Sequence, residues 1–484
     1  MTDLLEPDLC VVGAGAAGLS VAAVAASLGA SVVLVEKGAG GGLMGGECLF
    51  NGCVPSKSVI AAAAHAHAAR TGGPFGVATH EPEVDYAALR DHVRAVIAAI
   101  APNDSVARYR AMGVTVLAEE ARFVDARTME AGAARIRARR FVLATGSRPL
   151  VPPIQGLAQT PFLTNETLFD LAERPSRLLV VGAGPIGLEL AQAHRRLGAA
   201  VTLLSNGPVL PREDREVAGI LAAALRAEGV DLRESVEVLG AERAGEGVRL
   251  RLRAGEGARQ EHIEGSHLLV ATGREPTVEG LGLEAAGIAH GPDGIAVDAR
   301  LRTSNRRVYA IGDCATGGTG GLRFTHAASN HASLVVRDAL FRLPAKVDPT
   351  TIPRVVYTDP EIAAVGLSEE EAFRKDKRAR ILRWPVAEND RAQAERSTHG
   401  LVKAFVGRDG RVLGCTIAAP HAGELIALWT LAMAKGLKAR DIAGIVMPYP
   451  TYSELTKRAA VETLRPFATN PWVQRWRRLV RTLG

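Results

Sequence analysis

Two stretches of the chain share one pattern of apolar runs and glycine turns: VVGAGAAGLSVAAVAASLGASVVLVEK from Val11 and VVGAGPIGLELAQAHRRLGAAVTLLSN from Val180. In each, an apolar run of strand length meets G-x-G-x-x-G, a segment of helical periodicity follows, and a second apolar run closes the unit. The pattern predicts strand, turn, helix and strand twice over, which is the dinucleotide-binding unit. Gly13, Gly15 and Gly18 in the first copy, and Gly182, Gly184 and Gly187 in the second, allow a tight turn and a close pyrophosphate. The helix N-terminus then offers its N–H groups and positive dipole end to the phosphates. One such turn would be a weak signal; two in constant register predict two nucleotide sites.

No charged residue falls between Leu9 and Val35, a run long enough to span a membrane. Its four glycines and its strand-helix-strand rhythm argue against a span. Asp3, Glu6 and Asp8 deny it a signal-peptide start, so a soluble chain without an export signal is expected. Further along, FVLATGSRP (Phe141 to Pro149) and LLVATGREP (Leu268 to Pro276) echo one another, and RVYAIGDCA runs from Arg307 to Ala315. After Ala345 the pattern changes to strands broken by Gly and Asp-Gly turns, with helical segments from Glu424 to Lys435 and from Tyr452 onward.

A chain of 484 residues is too long for a single core. The pattern divides it at 1–150, 151–273, 274–345, 346–468 and a tail at 469–484. A hydrophobic fraction of 47% with only 4% aromatic residues suits helices packed closely on parallel sheets. The net charge of +6 comes mostly from Arg spread along the chain, and the local cluster RIRARR reads as a solvated strand edge, so no nucleic-acid partner is expected.

Cys48 and Cys53 stand at C-x4-C spacing in GGECLFNGCVPSK, just after the first nucleotide unit. Thiols this close can close a small-ring disulfide, which beside a redox cofactor takes up two electrons and passes them on by thiolate exchange. Cys10, Cys314 and Cys415 lie in apolar surroundings and read as buried small hydrophobes. Five scattered cysteines are no secreted disulfide framework, so a reducing cytoplasm is expected. His65, His67, His326 and His331 fall at helical spacings, where polar or capping roles outweigh metal ligation, and no resident metal is expected.

GGECLFNGCVPSK resembles the active-site signature of the pyridine nucleotide-disulfide oxidoreductases, the flavoproteins that include dihydrolipoamide dehydrogenase, glutathione reductase and mercuric reductase. The likeness covers nearly the whole chain and thins in the last fifteen or so residues. It implies a glutathione reductase-like α/β fold, with Rossmann-like FAD- and NAD(P)-binding domains, an α+β dimerisation domain and a homodimer. The first unit, which precedes the cysteines, would hold FAD through Gly13, Gly15, Gly18, Glu36, Lys37 and Gly46, with Thr145 and Gly146 in the first ATG turn and Gly312 and Asp313 in the second FAD motif. Glu36 ends the second strand, where an acid can take both hydroxyls of a ribose.

The second unit and Gly273 would serve the nicotinamide nucleotide. At the position matching Glu36 it carries Ser205, then Asn206. No acid is present to repel a 2′-phosphate, and with Arg212 nearby NADPH leads NADH. By resemblance, Lys57 and Glu189 pair near the flavin N5 edge. Cys53 is the flavin-side thiol and Cys48 the one that meets the substrate, so the resemblance implies an NAD(P)H-dependent oxidoreductase.

The chain departs from the thiol-reducing pattern near its end. Those relatives carry His-Pro-Thr followed by Ser-Glu, whereas this chain reads MPYPTYSE, with Tyr449 in place of the His and with Pro450, Thr451 and Glu454 matching. A phenol with a pKa near ~10 is a poor proton shuttle beside an imidazole near ~6.5. Mercuric reductases resemble the chain here, although their C-terminal cysteine pair and N-terminal Cys-x-x-Cys domain find no counterpart. The expected acceptor is a metal ion or an unusual disulfide. A low-molecular-weight disulfide reductase such as dihydrolipoamide dehydrogenase is the alternative, and a non-catalytic redox-sensing flavoprotein is the alternative of another class. In the tail NPWVQRWRRLVRTLG, Trp472, Trp476, Leu479 and Leu483 share one helical face with arginines elsewhere, the layout of a helix that packs on its own dimer or touches a membrane surface.

Overall fold

A computed structural model describes residues 4–41, 44–255, 259–468 and 470–482. The chain forms two compact units, Met1–Asn206 with Val236–Pro349, and Gly207–Ser235 with Thr350–Gly484.

The first unit contains both glycine-turn repeats. In chain order its principal elements are β1 (Leu9–Val12), α1 (Ala16–Ser27), β2 (Val32–Val35), α2 (Gly46–Phe50), α3 (Cys53–Thr71), β3 (Thr115–Leu117), β4 (Arg140–Leu143), β5 (Arg177–Val181), α4 (Pro185–Arg196), β6 (Ala200–Leu204), β7 (His267–Val270), β8 (Val308–Ala310) and α5 (Thr325–Phe341). One parallel sheet runs β8-β4-β1-β2-β3 and another runs β6-β5-β7. Strands covered on both faces read as continuous apolar runs. Leu9, Cys10 and Val11 are fully buried, as are Leu178, Leu179 and Val180 at the matching positions of the second copy. Beneath the first sheet Phe123 and Phe141 meet edge to face, 5.1 Å between ring centres.

The two ATG turns meet directly. Ser147–Pro149 pairs antiparallel with Arg274–Pro276, so the two crossings between nucleotide halves form one ribbon. Both glycine turns close in the same way. A Cβ on Gly18 would stand 1.9 Å from the Gly13 carbonyl oxygen, and one on Gly187 would stand 1.9 Å from that of Gly182.

The second unit is built on an antiparallel sheet of β9 (Arg354–Val356), β10 (Glu361–Gly366), β11 (Arg380–Pro385), β12 (Leu401–Val406) and β13 (Val412–Ala419), ordered β9-β10-β13-β12-β11. Helices α6 (Ala422–Ala434) and α7 (Ser453–Val461) share its core, where the Trp429 ring is fully buried. The chain ends in α8 (Pro471–Thr482). Leu483, assigned to that helix from the sequence, lies outside the described residues. Among the described residues no helix is long and apolar enough to cross a membrane.

Gly187→Ala is expected to destabilise the second nucleotide half by roughly 1–3 kcal/mol through this overpacking, read as a lower thermal midpoint. Gly219→Ala is the control, because nothing lies within 4 Å of a Cβ there. It is expected to hold or raise the midpoint.

Candidate active site

The cysteine pair is set by two short steps of backbone. Cys48 lies in α2, Cys53 opens α3, and the short break between the helices brings the two thiols within hydrogen-bonding reach. Gly52 makes the turn possible, since a Cβ there would fall 3.0 Å from the Glu47 carbonyl oxygen and 3.2 Å from the Cys48 Cα. The start of α2 is tied to the first nucleotide turn. Gly45 N donates to the Ala14 carbonyl at 2.8 Å, and a Cβ on Gly46 would meet the Gly15 Cα at 2.7 Å.

Both cysteines are thiols, with Cys53 Sγ 3.5 Å from Thr325 Oγ1 at the start of α5. Their environments push them apart. The hydrogen bond from the Cys48 thiol, helped by Thr325 and the Lys57 charge, lowers the Cys53 pKa to about 6 against burial and the nearby Glu189 charge. The same bond, followed by burial, drives the Cys48 pKa well above the ordinary thiol value. The reduced pair is therefore one thiolate, Cys53, and one thiol, Cys48. The positive end of α3 and Lys57, one turn along, favour the charge at Cys53.

Lys57 Nζ donates to Glu189 Oε2 at 2.7 Å, and Glu189 is only 6% exposed. Lys57 comes from the redox helix α3 and Glu189 from α4, just after the second glycine turn, so the pair joins the two nucleotide halves.

A second link had no sequence signal. Glu47, next to Cys48, is held by both outer nitrogens of the Arg274 guanidinium. Asn165 Nδ2 also donates to Glu47, at 2.5 Å. Burial raises the Glu47 pKa while Arg274 and Asn165 pull it down. Arg274 Nε donates to Ser147 Oγ at 2.8 Å, and Ser147 Oγ donates to Asp313 Oδ2 at 2.6 Å. The chain of bonds thus runs from α2, which carries Cys48, through the ATG ribbon to Asp313. Asn165, Arg274, Ser147 and Thr325 are separated from the cysteines by long stretches of sequence, and no spacing pairs them.

The first glycine turn has the features a dinucleotide needs. Glu36 closes β2, its Oε2 accepting from Ala14 N at 2.7 Å and its Oε1 from Gly38 N at 3.0 Å, with Lys37 beside it. Thr145 Oγ1 donates to the Thr277 carbonyl at 2.6 Å, and the Gly146 carbonyl accepts from Thr277 N at 3.0 Å. Gly312 closes the β8 turn with φ +69°, a conformation suited to glycine. In the second turn a Cβ on Gly184 would find nothing within 4 Å, which leaves its pyrophosphate side open, and Gly273 sits at the adjoining ATG turn. Ser205, buried just past the end of β6, and Asn206 occupy the positions that match Glu36 and Lys37 of the first copy. Arg212 belongs to the other unit. Among the described residues no cluster of three or more His, Cys, Asp or Glu could hold a metal.

In the second unit, Tyr449 is 69% exposed and its Oη donates to Asp390 Oδ2 at 2.8 Å. That bond, with the charges of Asp390 and Glu454, raises the Tyr449 pKa. Asp390 rather than Glu454 is thus the side chain bonded to the phenol, a partner 59 residues away that the sequence did not suggest.

A thiolate-thiol pair abutting one dinucleotide turn, on a helix whose Lys57 is ion-paired to Glu189 of the helix after the other turn, defines a two-nucleotide disulfide oxidoreductase. The chain belongs to the pyridine nucleotide-disulphide oxidoreductase family, whose model matches residues 7–332, with its dimerisation domain at residues 352–460. It is 35% identical to mercuric reductase from Streptomyces lividans over 94% of this chain and 95% of that one. It is 36% identical to dihydrolipoyl dehydrogenase from Thermus scotoductus over 94% and 96%. Among solved structures, the Cu(II) complex of the HOCl-induced flavoprotein disulfide reductase RclA from Escherichia coli matches with a TM-score of 0.82 at 26% identity, covering 94% of this chain and 99% of that one. The protein is accordingly an NAD(P)H-dependent flavin disulfide oxidoreductase that carries a dimerisation domain.

In the reduced protein, the Cys53 thiolate is expected to form with a midpoint near pH 6, followed by thiolate absorbance or the pH dependence of alkylation. Cys48→Ala removes the hydrogen bond that contributes most and should move that midpoint upward. An unchanged midpoint would leave the donor role of Cys48 without support.

Proposed function

We propose that the protein reduces a thiophilic metal ion with electrons from NADPH, in the manner of a mercuric reductase. The observation that carries this reading is the exposed Tyr449 phenol, bonded to Asp390 and held protonated, at the position where thiol-reducing relatives place an imidazole. The names of relatives support the same direction: several are mercuric reductases, and RclA has been captured with Cu(II).

FAD, when bound, accepts a hydride from the nicotinamide and delivers two electrons to a disulfide. Gly13, Gly15, Gly18, Glu36, Lys37, Gly46, Thr145, Gly146, Gly312 and Asp313 would hold it; Gly182, Gly184, Gly187, Ser205, Asn206 and Gly273 would hold NADPH. Lys57, fixed by Glu189, keeps a positive charge beside Cys53 and so favours its thiolate. Cys48 retains its proton until a soft cation displaces it, after which the two sulfurs can share the metal. For a free mercuric ion the balance is NADPH + Hg(II) → NADP⁺ + H⁺ + Hg(0); with two external thiolates on the metal it is NADPH + Hg(SR)2 + H⁺ → NADP⁺ + Hg(0) + 2 RSH, and the thiolates released by ligand exchange take their protons from solvent.

In the proposed homodimer, the Tyr449 segment of one subunit completes the dithiol site of the other. Cys10, Cys314 and Cys415, buried with raised pKa values, suit the reducing cytoplasm proposed as its setting. The alternative acceptors are lipoamide-type or glutathione-type disulfides.

The test is anaerobic turnover of the flavin-loaded protein with NADPH and either thiol-bound Hg(II), lipoamide or glutathione disulfide. Metal reduction should dominate at pH 7, and efficient turnover of either disulfide would overturn the proposal. Tyr449→His should raise disulfide or dithiol turnover by ~10²-fold, with Asp390 in place to orient the ring, and should change metal reduction little. NADPH should be the better donor. Ser205→Glu should cut kcat/KM for NADPH at least about tenfold relative to NADH by setting a carboxylate against the 2′-phosphate.

A further inference from the structure

Helix α8 has an apolar face that is exposed among the described residues. At 100° per residue Leu479, Trp472, Trp476, Val480 and Val473 fall within one third of the circumference. Trp472 is 75% exposed, Trp476 66%, Leu479 51% and Val480 47%. Arg475, Arg477, Arg478 and Arg481 occupy the remaining arc, and no acidic residue follows Glu462. Arg475 lies 5.4 Å over the Trp472 ring, which stays 75% exposed.

A water-facing helix with two bare tryptophans pays a hydrophobic cost unless something receives them, and its charge says what that is. A second copy of the chain is itself net basic, at +6. Four arginines flanking an aromatic-aliphatic face match instead a surface that is apolar within and anionic at its rim. Tryptophan settles at that boundary, and arginine stems reach from it to headgroup phosphates. We infer that α8 lies in the plane of an anionic lipid bilayer and holds the enzyme at the membrane surface. The inference is independent of which acceptor is reduced.

The experiment uses the full-length, flavin-loaded protein and flotation with vesicles of phosphatidylcholine alone or mixed equally with phosphatidylglycerol. The wild type should float with the anionic vesicles, much less with neutral ones, and less as salt rises. Trp472→Ala/Trp476→Ala should reduce partitioning roughly tenfold or more. Arg477→Gln/Arg478→Gln should reduce it roughly 30-fold on anionic vesicles. The arginine pair serves if the tryptophan variant does not fold, and flavin absorbance with NADPH oxidation reports folding in both. Absence of wild-type flotation, equal flotation with neutral vesicles, or variants that float like the wild type would each overturn the inference. So would a tryptophan variant that falls from dimer to monomer, because the face would then belong to a second copy.

Discussion

The ion pair between Lys57 and Glu189 is the constraint on which the site's geometry depends. Glu189 is nearly buried in α4, and a carboxylate there is tolerated only because a cation meets it. The cation comes from the helix that starts with Cys53. One contact therefore fixes the position of the second nucleotide turn relative to the thiols and places a positive charge one helical turn from the sulfur that must ionise. Lys57 lowers the Cys53 pKa while Glu189 raises it, so the pair tempers the thiolate instead of simply maximising it. A very stable thiolate is a weak nucleophile, and a pKa near ambient pH keeps both reactivity and population.

The fold was legible because its elements are dictated locally. Apolar runs such as Leu9–Val12 and Arg177–Val181 become central parallel strands, and Gly13, Gly18, Gly182 and Gly187, between strand and helix, sit where no Cβ fits. Spacing marked Cys48 and Cys53, and resemblance to the family marked Lys57 and Glu189, each inside its own motif. Other parts of the site could not be read this way. Glu47 meets Arg274 across 227 residues, and Tyr449 meets Asp390 across 59; each pair forms only after separate segments fold. Polar residues at turns carry no periodicity that would announce such partners.

The Glu47–Arg274 contact shows what a local reading misses. It joins α2, the short helix of Cys48, to the ribbon of the two ATG turns, and through Ser147 to Asp313, so the proposed flavin-binding acid and the dithiol share one hydrogen-bonded framework. Burial penalises the Glu47 charge, and Arg274 offsets that penalty with two parallel donors, the geometry in which guanidinium holds carboxylate best. Two cross-links, one to each nucleotide half, thus hold the short segment bearing both cysteines. A redox pair whose sulfurs must alternate between bond and non-bond gains from so rigid a mount.

The location of protons then separates the candidate acceptors on physical grounds. In the reduced pair the proton rests on Cys48, the sulfur proposed to face the substrate, and its removal is opposed by the neighbouring Cys53 thiolate. A disulfide acceptor requires that proton to leave Cys48 and another to reach the departing thiolate, so a group titrating near neutrality must handle both. Tyr449, raised by Asp390, does not titrate there. A soft cation needs neither transfer: binding two sulfurs expels the Cys48 proton directly, because metal–thiolate bonding outcompetes the proton where a base cannot. On the proposed reading, a phenol in place of an imidazole disfavours the disulfide chemistry and leaves metal reduction intact, so Tyr449→His would bear on the acceptor and leave the electron path up to Cys53 unchanged.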